Sequence, residues 1–320
     1  MVGISLIVPI SPASDRRDVE LLLRSISSQT YGNVEVLVVP EGDCGQGVRM
    51  FPSVRVLSPP HKRGASAARN HGARYSNAEI LGFLDDDVVL DSRWCEYAVA
   101  SFRDSAVGGV SGQAKVPLEL YGLDYVPREL MWAVGGTYWG NDGVQVVPSM
   151  AGMNLCIRRT VFTKAGGYNE FIGPSGDRPE TKSWLRIGAE EDDLSQKVQV
   201  LCGKRIVFDP RMVVTHRLRR ETVTPKGLVK RCLHVGHNRA YIHSKYPASG
   251  DTGDNLVLRR LVGTTLLTLS SFPRHPLLAW KRLSFTSVVI ASLGLGYLVG
   301  LFGVGLDPYR TGRGIDQIAE

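Results

Sequence analysis

The sequence is poor in cysteine. Its 320 residues include five cysteines, an odd number, which lie far apart and form no C-x-x-C pair. This spacing argues against a zinc site or a dithiol redox centre, because both need closely spaced cysteines. We therefore expect reduced thiols in a cytosolic domain: Cys44, Cys95, Cys156, Cys202 and Cys232.

Two further signals are missing near the amino-terminal end. The opening MVGISLIVPISPASD has a short apolar run with no positive region before it, so we expect a first strand and no signal peptide. No G-x-G-x-x-G follows that run, which argues against NAD-dependent redox chemistry on a doubly wound sheet.

Acidic residues are outnumbered by basic ones. The formal net charge is +7 and the pI is near 9.2, which favours anionic partners such as phosphates, nucleic acid or a lipid surface. The length and the 43% of hydrophobic residues allow one large α/β domain with an appendage, or two ordinary domains.

One long apolar run lies near the carboxyl-terminal end. Residues 285–306, FTSVVIASLGLGYLVGLFGVGL, contain no charged residue and could cross a hydrocarbon core of about 30 Å as a helix. The run predicts a transmembrane helix, with a buried helix of a soluble domain as the alternative. The shorter apolar run at residues 261–272 cannot span and fits an interfacial helix.

Basic residues lie mainly on one side of the predicted span. This asymmetry predicts that the amino-terminal part is cytoplasmic and that the protein sits at the cell membrane, with its positive charge against anionic headgroups. We therefore expect a membrane surface and no nucleic acid as a partner. The residues before the span are Arg259, Arg260, Arg274, Lys281 and Arg282, and those after it are Arg310 and Arg313.

Strand and helix signals alternate in the first part of the chain. The strand signals are residues 5–10, 34–40 and 80–84, with residues 54–57 as a weaker fourth. Apolar residues at helical spacing separate the first two, after a cap at Asp15 or Asp18. The alternation predicts a parallel sheet with helices on its faces, in which ligands bind beyond the carboxyl ends of the strands.

Three aspartates follow one of these predicted strands, in ILGFLDDDVV at residues 80–89. Adjacent carboxylates repel one another, so a cation is expected there. In an extended segment Asp85 and Asp87 point to the same side and Asp86 points away. This arrangement can hold one Mg²⁺ or Mn²⁺ together with water and the phosphates of a nucleotide diphosphate. A solvated acidic turn is the alternative.

The surroundings of the triplet resemble a known family. GASAARNHGARYSNAEILGFLDDD, at residues 64–87, resembles the G-x-x-x-ARN-x-G and FLDDD segment of family 2 glycosyltransferases. AGMNLCIRRTVFTKAGGYNE at residues 151–170 and GAEEDDLSQKV at residues 188–198 are similar to later segments of that family, in the same order. The resemblance, which covers residues 4–216, implies an α/β GT-A fold with a mixed sheet flanked by helices, followed here by a helical membrane-associated segment.

The resemblance implies a donor side. Asp85 would contact the nucleotide ribose, Asp87 would ligate the metal that bridges the diphosphate, and Asp86 is the middle member. His216 corresponds to a histidine that completes the metal shell in some members, with a structural histidine as the alternative. The metal-side residues implied are thus Asp87, Asp85 and His216, with Mg²⁺ or Mn²⁺ as the cofactor.

Other residues are implied near the nucleotide. The family usually has V-V-D-D-G-S where this chain has VVPEGD at residues 38–43, so Glu41 or Asp43 takes the place of the base-reading acid. Pro9 lies in a similarly altered opening segment, and Arg69 belongs to the ARN motif, with a surface arginine as the alternative. Arg231 and Arg239 would hold the diphosphate or face the lipid surface.

A second acidic cluster carries the predicted chemistry. Members of the family invert the anomeric centre by direct displacement, so a carboxylate must take the proton of the acceptor. The resemblance implies Glu191 as this base, with Glu190 beside it, and Asp192 as the rival under a shift of one residue. An acidic first turn that complements a helix amino-terminus is the alternative.

The acceptor side carries the weakest signals. The resemblance implies Gly152 and Asn154 on this side. Trp132, Tyr138 and Trp139 could form an acceptor platform, with aromatic core packing as the alternative.

Together these observations predict a metal-dependent, inverting glycosyltransferase. We expect a UDP- or GDP-sugar donor and a lipid-linked acceptor of the polyprenyl or dolichyl phosphate type, as in archaeal-type relatives. A polysaccharide or other glycan acceptor is the alternative, and a noncatalytic membrane scaffold is the alternative of another class. The predicted division is a catalytic domain at 1–217, a basic helical segment at 218–284, the span at 285–306 and a polar tail at 307–320.

Overall fold

The structure is a computed structural model that describes residues 2–41, 51, 53–140, 143–173, 188–247 and 254–303, with the backbone alone for residues 254–260 and 303. Asp43, Cys44, the last three residues of the predicted span and the predicted tail lie outside the described residues. The four described cysteines are free thiols, as expected.

A mixed sheet forms the centre of the catalytic region. The order of its strands is β3-β2-β1-β4-β8-β6-β9-β5, and β7 pairs with β9. The first four strands are parallel, as the alternation predicts, whereas β8 runs antiparallel to both β4 and β6. The strands are β1 (Ile4–Ile10), β2 (Val34–Pro40), β3 (Val54–Val56), β4 (Ile80–Leu84), β5 (Val88–Leu90), β6 (Val107–Lys115), β7 (Gln145–Val146), β8 (Asn154–Arg158) and β9 (Arg205–His216).

Helices flank the sheet and continue beyond it. The first helix begins after Asp15, whose carboxylate accepts a hydrogen bond from the backbone nitrogen of Arg17 and so acts as the cap. The helices are α1 (Arg16–Ser27), α2 (Ala65–Tyr75), α3 (Trp94–Ser101), α4 (Arg159–Lys164), α5 (Glu190–Val200), α6 (Pro225–Lys245), α7 (Asp254–Ser271) and α8 (Pro276–Gly303). Short 3₁₀ helices lie at Leu118–Tyr121, Arg128–Val134 and Arg220–Val223.

The sheet separates two apolar cores because strand side chains alternate between its faces. On β1, Leu6 and Val8 pack in one core with α1 and α3, and Ile7 packs in the other with α2 and α5. Both faces of the central strands are therefore covered, which leaves the strand ends as the accessible part of the sheet.

The carboxyl-terminal helices differ from the prediction in their bounds. The apolar helix α8 begins at Pro276, nine residues before the predicted span, because the segment around Lys281 continues the same helix. Its stretch Pro276–Phe302 has a mean hydropathy of 1.9 and is long enough to cross a membrane. The predicted interfacial helix corresponds to the second half of α7, Leu261–Ser271.

Candidate active site

Two chain segments bring the acidic triplet and His216 together. Val88 on β5 pairs with His216 on β9, and the backbone nitrogen of Arg217 donates to the carbonyl oxygen of Asp87 at 2.8 Å. Asp85–Asp87 form a turn between β4 and β5, so the side-chain alternation expected for an extended segment does not apply. The sharp turn nevertheless leaves Asp87 directly opposite His216.

Asp87 and His216 form a partly enclosed pair. His216 Nε2 lies 3.4 Å from Asp87 Oδ1, and His216 Nδ1 lies 2.6 Å from the carbonyl oxygen of Gly135. A carbonyl can only accept, so Nδ1 carries the proton and the Nε2 lone pair faces Asp87. Burial disfavours the charged imidazole, but the facing Asp87 carboxylate raises the pKa of His216 above its usual value.

These two residues fit a divalent cation. Asp87 Oδ1 is buried and has no hydrogen-bond partner in the described part of the chain, which is the state expected of a ligand atom. A carboxylate oxygen and an imidazole nitrogen whose other nitrogen is held by a carbonyl suit Mn²⁺ or Mg²⁺. Within the described residues no group of three or more His, Cys, Asp or Glu side chains is arranged to hold a metal. Water and diphosphate oxygens would therefore supply most of the ligands.

Arg69 on α2 joins the two acidic clusters. Its Nη2 donates to Asp85 Oδ1 at 2.8 Å, and its Nη1 donates to Glu191 Oε1 at 2.9 Å. The side chain is only 4% exposed, and its guanidinium stacks over the ring of Tyr168 at 5.2 Å. The surface-arginine alternative is wrong, because the side chain is buried. A buried guanidinium needs carboxylates such as these to balance its charge.

Glu191 lies in the first turn of α5 with its carboxylate in a largely closed space. Its side chain is 19% exposed, and burial followed by the nearby Glu190 raises the pKa of Glu191 to about 8. Glu190 is more deeply buried, and its Oε1 lies 3.9 Å from Arg69 Nη1. Burial also raises the pKa of Glu190. A carboxylate with a pKa near 8 is suited to accept a proton at neutral to mildly alkaline pH.

Two glycines make room for these glutamates. A Cβ placed on Gly152 would lie 2.1 Å from Glu191 Oε1, and one on Gly173 would lie 2.9 Å from Glu190 Cδ. Gly173 also has a φ of +95°, which side chains rarely adopt. The turn that contains Gly152 therefore packs directly against the Glu191 side chain, and the acceptor-side location of Gly152 stays a prediction.

The two remaining acids of α5 have other partners. Asp192 accepts a hydrogen bond from Ser149 Oγ. Asp193 is fully buried and contacts Lys245 Nζ at 2.6 Å and Lys197 Nζ at 2.9 Å. Glu191 shares Arg69 with Asp85, whereas Asp192 is bound by Ser149, and the choice of Glu191 over Asp192 as the base stays a prediction.

Asn70 supports the site in a way that sequence reasoning missed. Its amide donates to the carbonyl oxygen of Tyr168 at 2.9 Å and to Glu170 Oε1 at 3.0 Å, and its Oδ1 accepts from the backbone nitrogen of Tyr168. The ARN and GGY motifs are therefore one unit, in which Asn70 holds the turn that places the Tyr168 ring under Arg69. Neither the ARN motif nor the GGY motif alone predicts this role of Asn70.

The predicted nucleotide-side residues lie at the ends of the first two strands. Glu41 follows β2, and its Oε1 accepts a hydrogen bond from the backbone nitrogen of Gly64, where α2 begins. Pro9 is partly exposed on β1 beside Val39. Burial together with the charges of Asp87 and Asp85 raises the pKa of Asp86 to about 7, and the charge of Arg219 opposes this effect.

Arg231 lies beside the metal-side pair. A Cβ on Gly135 would lie 2.7 Å from Arg231 Nη1, and Gly135 is the residue whose carbonyl holds His216. Burial lowers the pKa of Arg231, and the charges of Asp87 and Asp85 oppose this effect. Arg239 is half-buried two turns further along α6, and its contact with a diphosphate stays a prediction.

The acceptor-side prediction for Asn154 is wrong. Asn154 is fully buried in the sheet, where its amide donates to the carbonyl oxygen of Met212 at 2.9 Å and its Oδ1 accepts from Trp94 Nε1 at 2.8 Å. It cannot face an acceptor because its polar atoms are engaged in the interior, and it anchors the strand after Gly152 instead.

The three aromatic residues do not form one surface. Trp132 packs against the cluster that contains Leu130 and Phe285, whereas Trp139 packs against the sheet core. The ring of Tyr138 lies 5.5 Å from the guanidinium of Arg128. Core packing therefore accounts for Trp132 and Trp139, and a shared acceptor platform is not formed.

The sequence is similar to those of known glycosyltransferases. Residues 5–160 match the profile described as glycosyl transferase family 2. A glucosyl-dolichyl phosphate glucuronosyltransferase from Haloferax volcanii is 24% identical over 294 residues, which are 87% of this chain and 90% of that protein.

Solved structures show the fold. The mannosyltransferase PcManGT from Pyrobaculum calidifontis, in complex with GDP-Man and Mn²⁺, gives a TM-score of 0.62 at 18% identity, over 94% of this chain and 88% of that one. GalNAc-T7 with UDP, GalNAc and Mn²⁺ gives a TM-score of 0.52 at 16% identity, over 77% of this chain and 51% of that one. Residues 5–160 therefore form a family 2 glycosyltransferase domain, and the chain is a glycosyltransferase with the GT-A fold.

Proposed function

We propose that this enzyme moves a sugar from a nucleotide-sugar donor to a lipid-linked acceptor, with a divalent metal and with inversion at the anomeric carbon. The observation that carries the proposal is Arg69, which ties a donor-side carboxylate, Asp85, to the candidate base, Glu191. The buried guanidinium of Arg69 thus fixes the distance between the donor half and the acceptor half of a transfer site.

The donor half rests on Asp87, His216 and Arg231. The two solved relatives are described with a nucleotide or nucleotide sugar and Mn²⁺, which supports a divalent metal here. When bound, the metal would neutralise the charge that develops on the departing diphosphate. Asp87 and His216 would hold it, and Arg231 lies close enough to them to bind the same diphosphate.

The acceptor half rests on Glu191. An acceptor hydroxyl oxygen attacks the anomeric carbon, its proton passes to Glu191 Oε1 or Oε2, and the bond from that carbon to the diphosphate oxygen breaks. The electron pair of the broken bond leaves with the diphosphate. Arg69 keeps Glu191 oriented during this step, and attack opposite the leaving group inverts the configuration.

The presence of a candidate base indicates which group of the acceptor attacks the donor. A phosphate monoester is largely ionised at neutral pH and can attack without a base, whereas a sugar hydroxyl requires one. The Haloferax relative is named for a glucosyl-dolichyl phosphate acceptor, which offers sugar hydroxyls on a lipid carrier. We therefore favour a glycosylated polyprenyl phosphate, reached from the cytoplasmic face of the cell membrane.

A donor screen tests this proposal. Purified full-length protein is incubated with UDP- and GDP-sugars, with Mn²⁺, with Mg²⁺ and with a chelator, and release of the nucleotide is measured. We expect metal-dependent hydrolysis of at least one donor, and its loss in Asp87→Asn, because an amide lacks the charge that offsets cation dehydration. Asp91→Asn, outside the site, is the control. Equal activity of Asp87→Asn and wild type would refute the metal role of Asp87.

A further inference from the structure

The helix α6 lies against the catalytic domain along its whole length. Leu228 and Cys232, near its beginning, share an apolar cluster with Leu130 of the Arg128–Val134 segment. At its end, Lys245 contacts the fully buried Asp193 of α5 at 2.6 Å. The axis of α6 therefore runs along the surface of the domain.

The helix α8 lies along α6 in the same direction. Phe285 and Val289 join the cluster around Leu228 and Cys232, and further along both helices the backbones touch at glycines. A Cβ added to Gly236 of α6 would lie 2.0 Å from the carbonyl oxygen of Leu293 on α8. A Cβ added to Gly296 of α8 would lie 2.0 Å from the carbonyl oxygen of Leu233, and one added to Gly300 would lie 2.6 Å from Ala240 Cβ. Close approach at small residues fixes this side-by-side packing.

This packing conflicts with a helix that crosses a bilayer. If α8 stood along the membrane normal, α6 would stand beside it and would carry Arg231, Arg239 and Lys245 toward the hydrocarbon region. It would also draw in the edge of the catalytic domain. Charged groups at that depth are costly, and none of the exposed large apolar side chains of the described residues lies on α6.

The outer face of α7 and α8 is apolar and open. Exposed side chains on α7 include Leu267, at 71%, and on α8 they include Leu277, at 80%, and Trp280, at 65%. Phe302, at 83% exposure, continues this face at the end of α8. We call the exposed apolar residues of α7 and α8 the apolar face. A face of this size on a soluble protein marks an interaction surface.

Basic residues flank the apolar face. Arg274 and Lys281 are exposed where α7 turns into α8. Residues 225–303 contain ten lysines and arginines but only two acidic residues, Asp251 and Asp254. Because α6 covers the opposite side of α8, this open apolar face with basic groups at one end fits the plane of an anionic interface.

We propose that α7 and α8 bind the surface of an anionic bilayer as a monotopic platform, with α8 parallel to the membrane plane and within one leaflet. The inference rests on the proposed function for its purpose, since a lipid-linked acceptor must be reached from that surface. It replaces the predicted transmembrane helix. The carboxyl-terminal end then stays on the same side of the membrane as the catalytic domain.

The side of the carboxyl-terminal end is measured first. Full-length protein with a carboxyl-terminal epitope is expressed in bacteria, and sealed inside-out membrane vesicles are treated with protease, with a periplasmic protein trapped in the lumen as the control. We expect the epitope to be digested while the trapped protein survives. An epitope protected until detergent is added overturns the monotopic orientation.

Binding to lipid is measured by flotation. Purified protein is mixed with preformed vesicles of phosphatidylcholine and phosphatidylglycerol in equal parts. We expect wild type to float, and both Leu277→Glu/Trp280→Glu and Leu267→Glu to lose most of the floating fraction while keeping the wild-type circular dichroism spectrum. Val200→Glu, at an apolar residue on α5 that is 57% exposed, should float like wild type.

Further flotation results separate lipid binding from catalysis and from dimer formation. Asp87→Asn should float normally, which separates this inference from the proposed function. Wild type that forms a dimer through the apolar face and fails to float overturns the lipid partner, and so does flotation that Leu277→Glu/Trp280→Glu and Leu267→Glu leave unchanged.

Discussion

At the scale of single residues, Arg69 explains how several carboxylates share one small site. Each Nη atom of its guanidinium serves a different cluster, and the stacked Tyr168 ring limits its movement. The ARN motif predicts that Arg69 is near the site. The two partners could not be predicted, because they depend on how α5 packs beside α2, which no local pattern records.

The role of Glu191 is tested by Glu191→Gln. The amide keeps the shape of the side chain but cannot take the acceptor proton, so we expect kcat to fall by about a hundred- to ten-thousandfold. The Kd of the nucleotide sugar should stay nearly unchanged, since Asp85 and Asp87 belong to the other half of the site. Asp192→Asn is the matched control and should turn over normally. If Asp192→Asn is the inactive variant instead, the base is Asp192.

The pH dependence of kcat/KM follows from the raised pKa of Glu191. A base must be unprotonated to act, and its pKa of about 8 means that the active form is lost as the pH falls through that value. We expect kcat/KM for a hydroxyl acceptor to rise from pH 6, to reach half of its maximum near pH 8 and to level off about one pH unit above it. A profile that is flat between pH 6 and pH 9 contradicts a base of this kind.

Gly152→Ala tests the packing around the base. The added methyl group would lie 2.1 Å from Glu191 Oε1, so Glu191 must move away from Arg69. Displacement of a catalytic group by about 1 Å can lower the rate about a hundredfold. We expect kcat to fall by about this factor. Gly143→Ala, with open space around the Cβ position, is the control and should keep full activity.

At the scale of elements, α5 serves both the site and the carboxyl-terminal helices. Its first turn carries Glu190 and Glu191 toward Arg69, and Asp193 on another side contacts Lys245 at the end of α6. The acidic first turn was predictable as a helix start. The sequence does not predict that this turn contacts both Arg69 and α6. The contact with α6 joins residues that are distant in sequence.

Asp193→Asn tests this connection between α5 and α6. Removal of one partner from a buried ion pair typically costs about 3–5 kcal/mol, whereas Asp104→Asn, in an exposed pair with Arg205, should cost less than about 1 kcal/mol. Chemical denaturation measures both. An Asp193→Asn cost as small as that of Asp104→Asn means that the pair does not hold α6 in place.

The same pair gives a pH dependence with a definite sign. Burial raises the pKa of Asp193, but Lys197 and Lys245 outweigh it and hold the pKa below its usual value. The stabilisation is therefore present above about pH 4 and is lost as the pH falls further. The difference between wild type and Asp193→Asn should shrink over that range.

At the scale of the whole molecule, the sequence predicts the parallel strands, the first helix and the GT-A fold well. These depend on local periodicity and on motifs in a fixed order. The sequence does not predict the pairing of β5 with β9, which brings Asp87 to His216. The sequence also does not predict the side-by-side packing of α6 and α8. The length of an apolar run does not distinguish a helix that crosses a bilayer from one that lies on it.

The central claim is that one site, joined by Arg69, performs metal-dependent inverting transfer to a lipid-linked acceptor. Its most direct test is the transfer of a labelled sugar from UDP- or GDP-sugars to a glycosylated polyprenyl phosphate in vesicles by full-length enzyme, followed by nuclear magnetic resonance of the product. We predict label in the lipid fraction with Mn²⁺ or Mg²⁺, none with a chelator, and an anomeric configuration opposite to that of the donor. Transfer that resists the chelator, retention of configuration, or no transfer from any donor would contradict the account.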